Sequence, residues 1–133
     1  MSMPSTPVSQ ALVIFAKNKK RVSTFYQQAL GLDVVENESS HDLLRGNGIE
    51  LVIHSIPQRI AREIQISKPP QLRENTPLKP AFLVNDLDAL REAVTRTGGW
   101  LKARDQAWTI RGATVLDGCD PEGNIVQFRR LNQ

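Results

Sequence analysis

The sequence is poor in cysteine, in aromatic residues and in long apolar runs, and each shortage excludes a class of protein. Its one cysteine, Cys119, excludes an internal disulfide and any metal site made of several cysteines. One tyrosine, two tryptophans and four phenylalanines are too few for an extensive aromatic cage. No apolar run approaches the roughly 18–20 residues that cross a bilayer, so we expect no membrane association. Segment 1–10 lacks the pattern of a signal peptide, which predicts a cytoplasmic protein.

The charge balance argues against a nucleic-acid partner. The chain has 17 basic and 14 acidic residues, a net charge of +3, and 40% of its residues are hydrophobic. The densest basic run, 17–21, is typical of a solvated helix start, and the other basic residues form no stripe. This composition indicates a single globular domain with a substantial core.

The first half of the chain reads as strand, helix and three strands. A short apolar run at 11–15 predicts a strand, and Asn18 can cap the helix that follows. Apolar residues recur at helical spacing up to Gly31, a typical helix stop. Weaker strands are predicted at 33–37 and 42–44, and alternation at 49–54 predicts a clear strand. After these, segment 55–76 is irregular, and we interpret it as a linker.

The second half repeats the first. The pair Gly98–Gly99 is predicted to end the second helix, and a shift of 68 positions places Asn18 on Asp86 and Gly31 on Gly99, so the predicted helix starts and stops coincide. Strands are predicted at 79–84, 100–103, 107–116 and 124–129, with the turn 120–124 before the last strand. The expected fold class is therefore α+β, with two βαβββ modules in one chain and curved mixed sheets lining a cavity, helices outside.

The predicted boundaries follow from this repeat. Residues 1–8 are expected to form a flexible tail, and 9–131 a single domain. Within it, the first module covers about 9–54, the linker about 55–77 and the second module about 78–131.

Three segments resemble the vicinal oxygen chelate superfamily, which includes glyoxalase I, extradiol dioxygenases, fosfomycin-resistance enzymes and bleomycin-resistance proteins. They are 25–32 (FYQQALGL), 82–89 (FLVNDLDA) and 120–128 (DPEGNIVQF). They occur in the family's order, and the resemblance extends over about residues 9–131. It implies a cavity or groove between the modules, sometimes shared across a homodimer. In catalytic members it also implies one divalent metal that is held by four side chains and acts as a Lewis acid.

The four metal positions that the resemblance implies are poorly filled here. The family spacing places Ala11, Glu50, Lys79 and Gln127 at them. An alanine methyl and an ammonium group offer no lone pair, Glu50 matches the family carboxylate, and the Gln127 carbonyl is a weaker ligand. We therefore expect no metal and no other cofactor. A displaced site built from Glu50, Gln127 and His54 is the open alternative, because His54 shares a strand face with Glu50.

Without a metal, the same positions suggest ligand contacts. If they converge, we expect a Glu50–Lys79 ion pair that either neutralises the vacated site or meets a polar group of a ligand. The resemblance also suggests Trp108 and Arg111 as a stacking wall and an anion contact, although a core tryptophan and a solvated arginine are equally consistent. The candidate ligand-binding residues are thus Glu50, His54, Lys79, Trp108, Arg111 and Gln127.

Two functions from different classes remain open at this point. The first is a metal-free small-molecule binding protein of the glyoxalase and bleomycin-resistance type, a homodimer acting in resistance or sequestration. The second is an enzyme, a lyase, isomerase or oxygenase, with a degenerate or displaced metal site, or a metal-free enzyme that uses Glu50 as a catalytic base. A protein-binding module is a third hypothesis.

Overall fold

The computed structural model describes residues 8–133, so the tail predicted at 1–8 lies outside the described residues except for Val8. The strands are β1 (Gln10–Ala16), β2 (Asp33–Asn37), β3 (His41–Gly46), β4 (Ile49–Ser55), β5 (Ala81–Leu83), β6 (Trp100–Leu101), β7 (Trp108–Ile110), β8 (Ala113–Cys119) and β9 (Ile125–Leu131). The helices are α1 (Lys19–Leu30), α2 (Gln58–Ala61) and α3 (Leu87–Arg96), and one 3₁₀ turn spans Arg104–Gln106.

Two sheets with the same strand order confirm the internal repeat and the α+β class. The first sheet has the order β1-β4-β3-β2, with β1 and β4 parallel and the other pairs antiparallel. The second has the order β5-β9-β8, and both β6 and β7 pair with the outer edge of β8. Together β6 and β7 occupy the place that β2 has in the first sheet.

The strand predicted at 107–116 was wrong, because the chain reverses in its middle. Arg111 and Gly112 both have positive φ, 47° and 75°, and form the turn between β7 and β8. Glycine adopts this backbone region without strain, so Gly112 was the sequence signal for the turn. The reversal places Arg111 at an exposed hairpin tip.

The predicted helix starts and the predicted glycine helix stops are confirmed. The side chain of Asn18 accepts a hydrogen bond from the backbone N–H of Arg21, and Asp86 accepts two at the start of α3. Gly31 ends α1 in the left-handed conformation. Helix α3 ends at Arg96 and is followed by Gly98, which has a positive φ of 89°, and by Gly99, whose backbone N–H donates to the carbonyl oxygen of Val94.

Gly99 also allows the two modules to approach each other closely. A Cβ atom there would lie 2.4 Å from Cε2 of Phe25 and 2.6 Å from the carbonyl oxygen of Cys119. No side chain fits in that space, so glycine is required at this position by packing.

The core lies between the sheets and the helices and is continuous across both modules. The ring of Tyr26 on α1 lies 6.3 Å from that of Phe82 on β5, centroid to centroid. The largest fully buried apolar side chains of the core come from both modules: Tyr26, Phe25, Phe128, Leu44, Leu51, Ile53, Leu116, Val22, Val94, Val115 and Val126. The opposite face, which we call the open face, is exposed on the first sheet at Val13 and Phe15; on the second sheet it is exposed at Leu83 and Leu131, whereas Val115 in its middle is buried.

A buried polar cluster also joins the modules. The fully buried carboxylate of Asp120 accepts hydrogen bonds from the Tyr26 hydroxyl (2.8 Å), from Asn124 Nδ2 (2.9 Å) and from the backbone N–H groups of Glu122 and Asn124. The Glu122 carboxylate in turn accepts from the backbone N–H groups of Lys17 and Asn18. The turn 120–124 therefore connects β8 and β9 to the start of α1, and its role in this fold is structural.

Within residues 8–133, no helix combines the length and the apolar composition needed to cross a membrane.

Candidate functional site

The open face of the first sheet carries the side chains that strand alternation assigned to it. Ala11 and Phe15 of β1 lie opposite Glu50 and His54 of β4, while the alternate side chains Leu12 and Ile14 pack against the core. The Phe15 side chain is 60% exposed. This face therefore combines an apolar surface with the predicted carboxylate and imidazole.

Glu50 pairs within its own sheet. Its Oε1 atom accepts a hydrogen bond from Nη2 of Arg45, the residue opposite it on β3, at 2.7 Å. The expected Glu50–Lys79 ion pair does not form, because Lys79 has a different partner. A carboxylate that is held by an arginine is less available as a catalytic base than a free one.

His54 is part of an aromatic group at the far end of β4. Its ring stacks with that of His41 at 6.2 Å and lies 5.6 Å from that of Phe15, between centroids. Its Nδ1 atom lies 2.9 Å from the carbonyl oxygen of Ser55, which can only accept, so Nδ1 carries a proton. Four residues separate His54 from Glu50, about 13 Å along a strand, so the two side chains serve different parts of the face.

The open face of the second sheet carries a connected polar network. Lys79 Nζ lies 3.0 Å from Oδ2 of Asp117, a residue of β8 whose side chain is 8% exposed. Gln127 Nε2 lies 3.5 Å from the other oxygen of Asp117, and the Gln127 carbonyl accepts a hydrogen bond from Nε of Arg129 at 2.7 Å. Two cations, one carboxylate and one amide are thus joined in series.

Trp108 lies beside this network and Arg111 does not. The ammonium nitrogen of Lys79 is 5.9 Å from the centre of the Trp108 ring, within the range of a cation–π contact. Trp108 is half-buried at the edge of the sheet, where it can form one wall for a ligand. Arg111 lies in the turn between β7 and β8.

The donor atoms at the family's metal positions do not fit a divalent ion. In the second sheet the residue opposite Gln127 is Ala81, as Ala11 is opposite Glu50 in the first. Counting from the helix start had placed Lys79 there, but the connection is shorter: seven residues separate Ala11 from Asn18, and five separate Ala81 from Asp86.

The remaining groups are no better suited to a metal. Two alanine methyl groups offer no lone pair, and the two remaining positions hold a glutamate that is paired with an arginine and a glutamine that is a weak neutral ligand, so two of the four ligands are missing. The displaced site built from Glu50, Gln127 and His54 is not assembled within this chain either, since each contacts different neighbours. Nowhere in 8–133 do three histidine, cysteine, aspartate or glutamate side chains come close enough to hold an ion.

Three polar residues of these faces were missed by the sequence analysis: Arg45, Asp117 and Arg129. Period-two alternation was the available signal, because Arg129 follows Gln127 by two residues and Asp117 follows Val115 by two. Their partners could not be read in the same way, since each contact joins different strands.

Cys119 is not a nucleophile in this fold. Burial raises the pKa of its thiol to about 11, and the adjacent Asp120 carboxylate acts in the same direction. The thiol therefore stays protonated at neutral pH.

Comparison with known proteins supports the same architecture. A sequence model described as "Glyoxalase-like domain" matches residues 11–128. A glyoxalase/bleomycin resistance protein/dioxygenase family enzyme from Burkholderia phytofirmans PsJN has a similar structure, with a TM-score of 0.65 and 17% identity over 91% of this chain and 96% of that one.

Two further solved structures give comparable values. A glyoxalase/bleomycin resistance protein from Albidiferax ferrireducens has a TM-score of 0.62 at 17% identity, over 92% of this chain and 96% of that one. The fosfomycin resistance protein FosX from Mesorhizobium loti has a TM-score of 0.60 at 12% identity, over 98% and 93%. No curated protein sequence matches the chain. At these identities the likeness establishes the fold and leaves the activity open.

Proposed function

The chain belongs to the family of glyoxalase-like domains, and from that premise we propose that it is a small-molecule binding protein that binds its ligand without a divalent metal. One observation carries the proposal: each polar side chain at the family's metal positions is bonded to a neighbouring arginine of its own sheet. Glu50 pairs with Arg45, while Gln127 joins Asp117 to Arg129. Such groups present hydrogen bonds and charge to a ligand, and they offer no empty coordination sphere to an ion.

The predicted ligand-binding residues contribute unequally to this proposal. Lys79, Trp108 and Gln127 lie in or beside one network, and Glu50 and His54 lie on the open face of the other sheet. Arg111, at the hairpin tip, has the weakest support.

Metal content is the first test. Elemental analysis of the purified protein, followed by calorimetric titration with Mn²⁺, Fe²⁺, Co²⁺, Ni²⁺ and Zn²⁺, should detect no stoichiometric binding. Tight binding at one ion per chain that is lost in Glu50→Gln would overturn the proposal in favour of a metal-dependent lyase, isomerase or oxygenase.

A ligand screen is the second test. Thermal unfolding is measured against a library of neutral, cationic and anionic small molecules in the presence of a chelator. At least one compound should raise the unfolding temperature, because a ligand that binds only the folded state stabilises it by mass action. If every stabilising compound requires added metal, the metal-free proposal fails.

We also propose that the protein is a homodimer whose second copy covers part of the open faces. Large apolar side chains are exposed on these faces: Val13, Phe15, Leu83, Ile110 and Leu131. Strand β1 has seven residues, no charge and a partner on one side only, an arrangement that natural proteins usually cover. Sedimentation should give twice the chain mass, and Phe15→Asp should lower it. A monomer at micromolar concentration would contradict the dimer.

A further inference from the structure

The open face of the second sheet carries one cation more than its carboxylates balance. Lys79 pairs with Asp117, and Lys102, which follows β6, pairs with Glu74 at 3.3 Å. Arg129 has no carboxylate within ion-pair distance among residues 8–133; its protein partner there is the neutral carbonyl of Gln127.

Gln127 orients the guanidinium of Arg129. The Nε atom donates to Gln127 Oε1 at 2.7 Å, while neither terminal amino group bonds a protein atom in the described part of the chain. The edge formed by these two amino groups matches the two oxygens of a carboxylate or of a phosphoryl group. The amide thus holds one edge of the guanidinium and leaves the other for a ligand.

The amide also explains why glutamine is suited to position 127. It accepts from Arg129 with its carbonyl and directs its NH₂ group towards Asp117. A glutamate would neutralise Arg129 and would place a second carboxylate next to the buried Asp117. With glutamine, the positive charge of Arg129 stays available.

Apolar side chains flank the guanidinium in a single row across the sheet. Trp108 on β7 is paired with Val115 on β8, which is paired with Arg129 on β9, which is paired with Leu83 on β5. Leu83 is 61% exposed and Trp108 39%. Adjacent strands lie about 4.8 Å apart, so Trp108 and Arg129, two strands apart, are separated by about 10 Å.

We propose that the ligand of this face is an organic anion with a planar apolar body: Arg129 binds its carboxylate or phosphoryl group, and Trp108 contacts its ring. This inference rests on the proposed binding function and specifies its ligand class. The spacing favours an anionic group joined to a ring system by a short linker, since such a molecule spans about 10 Å. Lys79, already paired, supports the ring of Trp108 from the side of the network.

The experiment compares two probes that differ in charge, 2-naphthylacetate and the neutral 2-naphthylacetamide. Calorimetric titration at pH 7 should show the acid binding at least about tenfold more tightly than the amide, the usual gain from a charge-assisted pair of hydrogen bonds. Inorganic phosphate and acetate, which lack the ring, should bind more weakly than the acid by a similar factor.

The variants assign the effect to single residues. Arg129→Gln should remove the preference for the acid and leave binding of the amide unchanged, and Arg129→Lys should retain part of the preference. Arg130→Gln is the matched control: Arg130 is the next residue, points to the opposite face and bonds the hydroxyl of Thr114, so its loss should leave the preference intact. Trp108→Ala should weaken the binding of both probes. Thermal unfolding establishes that each variant is folded.

The outcomes separate this inference from the proposed function. Equal binding of both probes, binding of neither, or an unchanged preference in Arg129→Gln overturns the assignment of an anionic ligand. If the screen then finds a neutral metal-free ligand, the proposed binding function still holds. If the anion binds only when a divalent metal is added, both proposals fail.

Discussion

Removing the Asp120 carboxylate should destabilise the protein more than any other single polar substitution described above. Asp120 is fully buried and accepts hydrogen bonds from Tyr26, from Asn124 and from two backbone N–H groups of its turn. In Asp120→Ala the Tyr26 hydroxyl, itself 1% exposed, has no acceptor left, at a cost of about 1–3 kcal/mol, and each orphaned N–H adds about 1 kcal/mol. We expect a total loss of about 3–5 kcal/mol.

Chemical denaturation measures this loss of stability directly. A double-mutant cycle that combines Asp120→Ala with Tyr26→Phe measures the interaction free energy between the two side chains. The cycle should give a coupling of about 1–2 kcal/mol between Tyr26 and Asp120. A loss below about 1 kcal/mol in Asp120→Ala, with an unchanged denaturant slope, would refute the view that this cluster joins the modules.

Asp120 also determines the direction in which the stability of the protein changes with pH. Burial raises the pKa of the Asp120 carboxyl above its ordinary value, against the opposing effect of its hydrogen bonds. Between the ordinary value, about 3.9, and the raised value, the folded state holds a proton that the unfolded state has lost, so stability falls as pH rises through this window. The stability of the wild type relative to Asp120→Asn should therefore fall by at most about 1.4 kcal/mol per pH unit there. A relative stability that rises with pH would contradict the assignment.

Three further predictions follow from contacts elsewhere in the fold. Gly99→Ala should destabilise the protein by about 2 kcal/mol or more in denaturant titration, because the new methyl group would overlap the Phe25 ring and a backbone carbonyl; an unchanged midpoint would show that the modules can separate at no cost. Cys119 should react with a thiol reagent at pH 8 only as fast as the protein unfolds, because the thiol is buried and its pKa is about 11; rapid labelling of the folded protein would contradict its burial. Arg45→Gln should release Glu50 at little cost in stability, since the pair is partly exposed, and should leave the 2-naphthylacetate preference unchanged; loss of that preference would place the anion on the first sheet.

Local sequence signals were sufficient for the elements and for the family. Asn18, Asp86 and Gly31 mark helix ends through bonds to residues next to them in the chain, so their effect can be read without knowing the fold. The repeat, the alternation at 49–54 and the turn at 120–124 are equally local. The strand prediction at 107–116 failed because a local signal, Gly112, was overlooked. The close contact of Gly99 with Phe25 could not be read from the sequence, because it joins residues that are far apart in the chain.

The candidate site, too, was partly predictable from the sequence and partly dependent on the tertiary structure. The sequence by itself determined that the metal positions are poor in donors, because an alanine or an amide lacks a carboxylate whatever surrounds it. Only the tertiary structure decided the partners: Glu50 with Arg45, Lys79 with Asp117, and Gln127 between Asp117 and Arg129. The reason is physical, since each contact joins residues on different strands, and strand register is a property of the assembled sheet. It is this register that places Arg129 between Val115 and Leu83, where no carboxylate of residues 8–133 pairs with its guanidinium.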